Sequence, residues 1–380
     1  MTDKKNIPFG KPFIAGKELF YIAQAVMDGH LSGDGPFSSR CEQWFEQRLG
    51  APKALLTPSC TDALELAALL LDIGQGDEVI MPSFTFVSTA TAFVLRGAVP
   101  VFVDIREDTL NLDERLVEAA VTPRTRAIVA VHYGGCGCEM DALRDIADRH
   151  GLALIEDAAH ALGASYRGKP LGSFGDLSCF SFHETKNVIS GEGGALVVNR
   201  PELAERAAVI RQKGTNRQQF LAGKTDKYTW VDIGSSFVAS EIVAAFLWGQ
   251  LERAEEITEK RMDVWRRYHS ALAPLGKRGK FSLPSPPSHC NVNGHIFYLL
   301  ARDEGERNTL LRKLNEQGMN AVFHYVPLHS SPAGMRYGRH DGDLVVTDSV
   351  AQRLLRLPIF FEMESSDVEA VAAVISAYYA

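Results

Sequence analysis

Long hydrophobic runs are missing from this 380-residue chain, and without a stretch of about eighteen apolar residues no membrane-spanning helix is expected. Positive charge is not in excess either: 40 Lys and Arg face 47 Asp and Glu, a formal net charge of -7. That balance predicts no nucleic-acid partner and no anionic membrane surface. Cysteine is sparse, with six residues scattered at 41, 60, 136, 138, 179 and 290, which fits a reducing cytoplasm better than a disulfide framework. An apolar signal core is absent from Met1–Asn6 and the following Ile7–Pro8–Phe9–Gly10, so no secretion signal is expected. His132, Cys136 and Cys138 lack a second cysteine pair at zinc-site spacing and read as buried or loop groups, with no metal expected. Internal repeats and low-complexity tracts are also missing.

What is present is ordinary globular composition, 46% hydrophobic and 23% charged, in a chain too long for one core. Short apolar strands are expected at Glu78–Met81, Val101–Val103, Ala127–Val131 and Leu152–Ile155. Helical stretches separate them, at Asp62 to Leu71, Ser88 to Leu95, Leu116 to Ala120 and Met140 to His150. This alternation predicts an α/β fold with a mainly parallel sheet covered on both faces, and ligands at the carboxyl ends of the strands. Past about residue 238 two long helices are expected, the second ending before Pro274. The division predicted is a large domain over 1–255 and a smaller α+β domain over 256–380.

Four features attract chemistry. Lys186 follows the apolar run Leu177–Phe182 in SFHETKNVISGEGG; lysine is ordinarily solvated, so this segment alone does not set its role. Ser59, Cys60, Thr61 and Asp62 precede a helix, where Ser59 or Thr61 would cap it and free N–H groups would suit a phosphate. Asp157 ends a strand and could hold a positively charged ring nitrogen, and Phe86 could cover a π-face. Each has a bland alternative as cap, turn or core residue. One ligand, pyridoxal 5'-phosphate, would use all four.

The passages TPSCTDALELAALLLDIGQGDEVIMPSFTFVSTATAFVLRGA, CFSFHETKN, KGTNRQQF, DKYTW and VFHYVPLH carry a resemblance over essentially the whole chain. It resembles the sugar-nucleotide aminotransferases of the DegT/DnrJ type, within the aspartate-aminotransferase-like (fold type I) pyridoxal-phosphate transferases. Within them it is most similar to the dTDP-4-amino-4,6-dideoxygalactose transaminases. The resemblance implies Lys186 as the Schiff-base lysine, Asp157 as partner of the pyridine nitrogen, and His160 beside the phenolic oxygen. It also implies Ser181 and the Cys60–Thr61 turn, including the Asp62 N–H, as phosphate ligands, and Phe86 as the stacking ring. Ser236 stands where many relatives give an Asn from a neighbouring subunit to the phosphate. Lys213, Lys227, Tyr228 and His329 are candidates for the nucleotide sugar, since cations and donors suit a pyrophosphate.

The implied reaction transfers an amino group from L-glutamate to C4 of dTDP-4-keto-6-deoxyglucose, in a homodimer with shared active sites. Alternatives are another nucleotide-linked keto sugar, a pyridoxal-phosphate sugar dehydratase, or a non-catalytic binding protein. Related dehydratases carry His at the lysine position, so Lys186 argues against the dehydratase.

Overall fold

Seven short apolar segments form the body of the large sheet, and an eighth joins its edge from late in the chain. They are β1 (Lys53–Thr57), β2 (Glu78–Pro82), β3 (Val99–Val103), β4 (Thr125–Val131), β5 (Ala153–Asp157), β6 (Leu177–Ser181), β7 (Gly194–Val198) and β8 (Arg339–His340). In the computed structural model, which describes residues 6–380, their order is β1-β7-β6-β5-β4-β2-β3-β8. Every neighbouring pair is parallel except those of β7, which runs antiparallel to both β1 and β6. The first five residues, and the secretion-signal reading that begins on them, lie outside the described residues.

Alternation along these strands feeds two cores. Leu56, Ile80, Ile128, Leu154, Phe180 and Val197 pack into one. Their neighbours Leu55, Val79, Met81, Val129, Ile155, Cys179 and Leu196 pack into the other. Side chains that point alternately to opposite faces make this sheet hydrophobic on both. Helices Cys60–Leu70 and Met140–His150 are among those that cover it.

The smaller unit packs helices Ala254–Lys277, Glu304–Glu316 and Ser365–Tyr379 with an antiparallel strand pair, Phe297–Leu300 and Leu354–Leu357. A hydrophobic cluster of Phe84, Tyr133, Ile296, Tyr298 and Leu354 joins the two units.

The structure corrects the sequence expectation in three places. Ile7 belongs to the small unit's core, where it exchanges backbone hydrogen bonds with Gly318 and Asn320. Conversely, residues 339–347 are tied to the large unit: Arg339 donates to the buried Glu78 at 2.9 Å, and Asp104 accepts from the N–H groups of Val346 and Thr347. A single cut at 255 therefore does not describe the packing. Pro274 lies inside its helix, which continues to Lys277. The carbonyl it frees, that of Ser270, is on an exposed residue and can meet water.

Candidate active site

The carboxyl ends of β1, β5 and β6 open onto a cavity of about 1020 Å³. Ser59, Cys60, Thr61, Phe86, Asp157, His160, Ser181 and Lys186, all expected from the sequence, line it. Position along the strands explains the convergence, since each of these ends points the same way.

Lys186 is fixed by the loop between β6 and β7. Phe182 N–H donates to Gly193 O at 2.8 Å, Glu184 N–H to Gly191 O at 2.9 Å, and Lys186 N–H to His183 O at 2.9 Å. Buried Phe182, Val188 and Ile189 pin the loop, leaving the lysine amine turned to the cavity. Burial lowers that amine from the usual lysine range to about 8; the Asp157 carboxyl opposes the shift and the Arg356 charge adds to it. Next in sequence, Asn187 donates to Asn293 O at 3.0 Å and accepts from His295 Nδ1 at 2.9 Å. An amide oxygen only accepts, so the His295 proton is on Nδ1.

Asp157 is buried at the end of β5. One carboxyl oxygen accepts from Thr89 Oγ1 at 2.7 Å and the other from Ala159 N–H at 3.2 Å. Its neighbour Glu156 points to the opposite face and is fully enclosed, with His132, Gly172, Phe174, Gly175 and Ser178 as donors. His132 Nδ1 accepts from Cys138 N–H at 3.2 Å, so Nε2 carries the proton given to Glu156. His132 is thus engaged in the fold, and Cys138 Sγ points to Val131 O at 3.3 Å.

His160 packs against His295 with ring centroids 4.4 Å apart and planes tilted by 37°, and its Nδ1 accepts from Gly134 N–H at 3.4 Å. Burial first, and the Lys186 charge next, hold its imidazole neutral. The opposite nitrogen is then a donor.

The turn before helix Cys60–Leu70 resolves the capping question in favour of Ser59, whose Oγ accepts from Asp62 N–H at 3.0 Å and donates to the Asp62 carboxyl at 2.8 Å. This corrects one expectation: the Asp62 N–H is committed to the cap and is not free for a phosphate. The N–H groups of Cys60 and Thr61 donate to no described residue. Thr61 Oγ1 and Ser88 Oγ lie 2.7 Å apart at the same end, and Ser181 faces them from β6. Gly194 lets β7 pass this turn; a Cβ there would stand 2.4 Å from the Ser59 carbonyl and 2.5 Å from Cys60 N.

The remaining expected residues are elsewhere. Lys213, Lys227, Tyr228 and Ser236 are exposed and do not line the cavity of their own chain. His329 is buried between Ser83 Oγ, 2.7 Å from Nδ1, and Asp348, 3.5 Å from Nε2, and does not line the cavity. Its polar atoms are already used, which corrects the substrate contact expected of it. Arg261, His295, His324 and Arg356 line the cavity and were not expected. Arg356 had a readable signal: a charge inside the apolar strand Leu354–Leu357.

Residues 13–376 match the DegT/DnrJ/EryC1/StrS aminotransferase family. The chain belongs to that family. Similar solved structures include DesV from S. venezuelae, 35% identical with a TM-score of 0.89 over 98% of each chain. TlmJ, an aminotransferase from Streptoalloteichus hindustanus, is 30% identical with a TM-score of 0.89 over 98% of this chain and 100% of that one. Spr1654 from Streptococcus pneumoniae, solved in PLP and PMP forms, is 25% identical with a TM-score of 0.90 over 98% of each chain. The cofactor of this aminotransferase family is pyridoxal 5'-phosphate. The residues present fit it: free N–H groups and hydroxyls for a phosphate, a carboxyl for a ring nitrogen, and a lysine of lowered proton affinity between them.

Proposed function

We propose that this protein is a transaminase that moves the amino group of L-glutamate to C4 of dTDP-4-keto-6-deoxyglucose, giving a dTDP-4-amino-4,6-dideoxyhexose. The observation that carries the reading is the Lys186 amine, brought to about 8, in one cavity with Asp157, His160 and Ser181. Pyridoxal phosphate, when bound, supplies an electron sink for the carbon that loses its proton.

The chain's own residues do the rest. Cys60 and Thr61 N–H, with the hydroxyls of Thr61, Ser88 and Ser181, hold the phosphate at a positive helix end. Asp157 accepts from the protonated ring nitrogen, and Thr89 and Ala159 keep its carboxyl aimed. His160 offers its free ring N–H to the phenolic oxygen. With the cofactor bound, Lys186 would take the proton of the donor's α-carbon on its Nζ and deliver it to the cofactor's C4′, work that needs a neutral amine near working pH.

A second copy of the chain completes the site in this reading. Phe86 is 58% exposed at the cavity wall, and Trp230 is 78% exposed near Ser236 in sequence. Leu19, Phe20 and Met27 add exposed apolar surface suited to burial between subunits. Lys213, Lys227 and Tyr228 would then serve the partner's nucleotide sugar. The six free cysteines support a cytoplasmic setting.

The test is product analysis. Incubation with L-glutamate and dTDP-4-keto-6-deoxyglucose should yield 2-oxoglutarate and, by NMR, a sugar carrying nitrogen at C4. An unchanged keto sugar beside a working glutamate half-reaction would move the assignment to another nucleotide-linked keto sugar.

A further inference from the structure

Two cysteines remote in sequence meet at one carbonyl. Cys136 follows the turn Tyr133–Gly135 after β4, and Cys290 opens the short strand Cys290–Asn291, which pairs with Ser165–Tyr166. Cys136 Sγ is 3.9 Å and Cys290 Sγ 3.7 Å from Gly137 O, and the two thiols are hydrogen-bonded to each other. Cys41, Cys138 and Cys179 are enclosed and Cys60 is at the cofactor turn, whereas Cys136 and Cys290 each keep 7% of their surface.

The backbone holds the pair in place. Cys136 N–H donates to Tyr133 O at 3.0 Å, its carbonyl accepts from Asn111 Nδ2 at 3.0 Å, and Cys290 N–H donates to Pro287 O at 2.8 Å. Donation from Cys136 holds the Cys290 thiol below its usual range against the cost of burial, and the His289 charge adds to the effect. Glu139, which accepts from His289 at 3.0 Å, opposes it. The same contact, together with burial, pushes the Cys136 thiol up. The sulfur of lower proton affinity is the one that attacks in a redox pair.

Both cysteines adjoin the supports of His160. Gly134, two residues before Cys136, donates to His160 Nδ1 at 3.4 Å. Asn293, three residues after Cys290, donates to His160 O at 2.7 Å and to Leu162 O at 2.9 Å. Gly135 lies against Asn293, since a Cβ there would stand 2.1 Å from Asn293 Oδ1. A pull between the two sulfurs therefore reaches both the ring and the backbone of His160.

We propose that Cys136 and Cys290 are a redox switch, closed by a small disulfide into an intramolecular bond that displaces His160 and slows the enzyme. The Cys290 thiolate attacks one sulfur of the small disulfide, whose S–S bond breaks and releases a thiolate. Cys136 then loses its proton and attacks the Cys290 sulfur, expelling the second small thiolate. The protein thiols give up two electrons and two protons, and the small disulfide leaves as two thiols. The sulfurs must close to about 2.05 Å, so the two segments shift. In a reducing setting such a bond is transient, as a switch requires. The effect on turnover rests on the transaminase reading above; the bond does not.

The experiment treats cofactor-loaded wild type, Cys136→Ser and Cys290→Ser with oxidised glutathione. Remaining thiols are blocked, and unreduced digests are mapped by mass spectrometry. Wild type should give a Cys136–Cys290 cross-link without retained glutathione, and Cys136→Ser should keep glutathione on Cys290. Oxidation should slow the wild-type glutamate half-reaction, read by cofactor absorbance, about ten- to a hundredfold, the scale of a misplacement near 1 Å. Dithiothreitol should restore it, and oxidation should leave the rate of either variant unchanged. Wild type without the cross-link, or with glutathione retained on Cys290, overturns the proposal, and this map needs no variant to fold. A cross-link that leaves the rate unchanged overturns it too, with the transaminase reading intact. If no amino acid alters the wild-type spectrum, the transaminase reading fails, and the cysteine map alone decides the redox pair.

Discussion

One wall of the cavity comes from the large unit and presents Ser59–Thr61, Asp157, Ser181 and Lys186, each at or just past the carboxyl end of a strand. The facing wall takes Phe9 from the start of the chain and Arg261, His295, His324 and Arg356 from its last third. The first wall is a product of topology, because parallel strands deliver their ends to one edge. The second depends on packing between the units. The groups proposed to hold the cofactor are on the first wall, and the buried Arg356 Nε, without a partner among the described residues, is on the second.

The same contrast is repeated between two adjacent carboxylates. Glu156 and Asp157 are consecutive on β5 and point to opposite faces. Glu156 is closed in by five protein donors, whereas Asp157 keeps a side toward the cavity.

Substitutions test whether these differences are real. Lys186→Ala should remove all measurable turnover, because the other amine lining the cavity, that of Lys11, is paired with Glu362; turnover above background would break the contrast between the walls. Asp157→Asn should cost about 10²- to 10⁴-fold in kcat, the range for a positioned acid–base or charge partner, with little change in Tm. It should also drop the Lys186 amine below its value near 8, since the carboxylate stabilises the ammonium. Competitive acylation of cofactor-free protein across pH reads that shift. Glu156→Gln should act in the opposite sense, lowering stability by about 3 kcal/mol as an amide N–H meets backbone donors, while the loaded enzyme that remains folded keeps its kcat. Equal effects of the two on kcat would erase the distinction drawn on β5.

Much of the first wall was legible because its residues travel in short motifs tied to a strand end. Lys186 after Leu177–Phe182, Asp157 after Leu152–Ile155 and Ser59 before Leu64 are each a strand or helix boundary. The alternation of short apolar strands with helical stretches likewise announced a mainly parallel sheet. The Asp62 N–H was misread because a free donor and a capped one have the same sequence, and only the Ser59 hydroxyl's position separates them. His329 looked like a donor for a pyrophosphate, but Ser83 and Asp348, remote in sequence, use it. Ile7 and Arg339 crossed the expected domain boundary through single long-range contacts, which local periodicity does not record. Arg356 was visible as a charge in an apolar strand, yet its place at the cavity depends on packing between the units.

The central claim, that the loop between β6 and β7 carries the cofactor lysine, is open to one direct measurement. The cofactor-loaded enzyme is reduced with borohydride, digested, and the modified peptide sequenced by mass spectrometry. The account predicts the added pyridoxyl mass on Lys186, in the peptide containing His183 and Asn187. A stable adduct on any other lysine, with Lys186 unmodified, would contradict it.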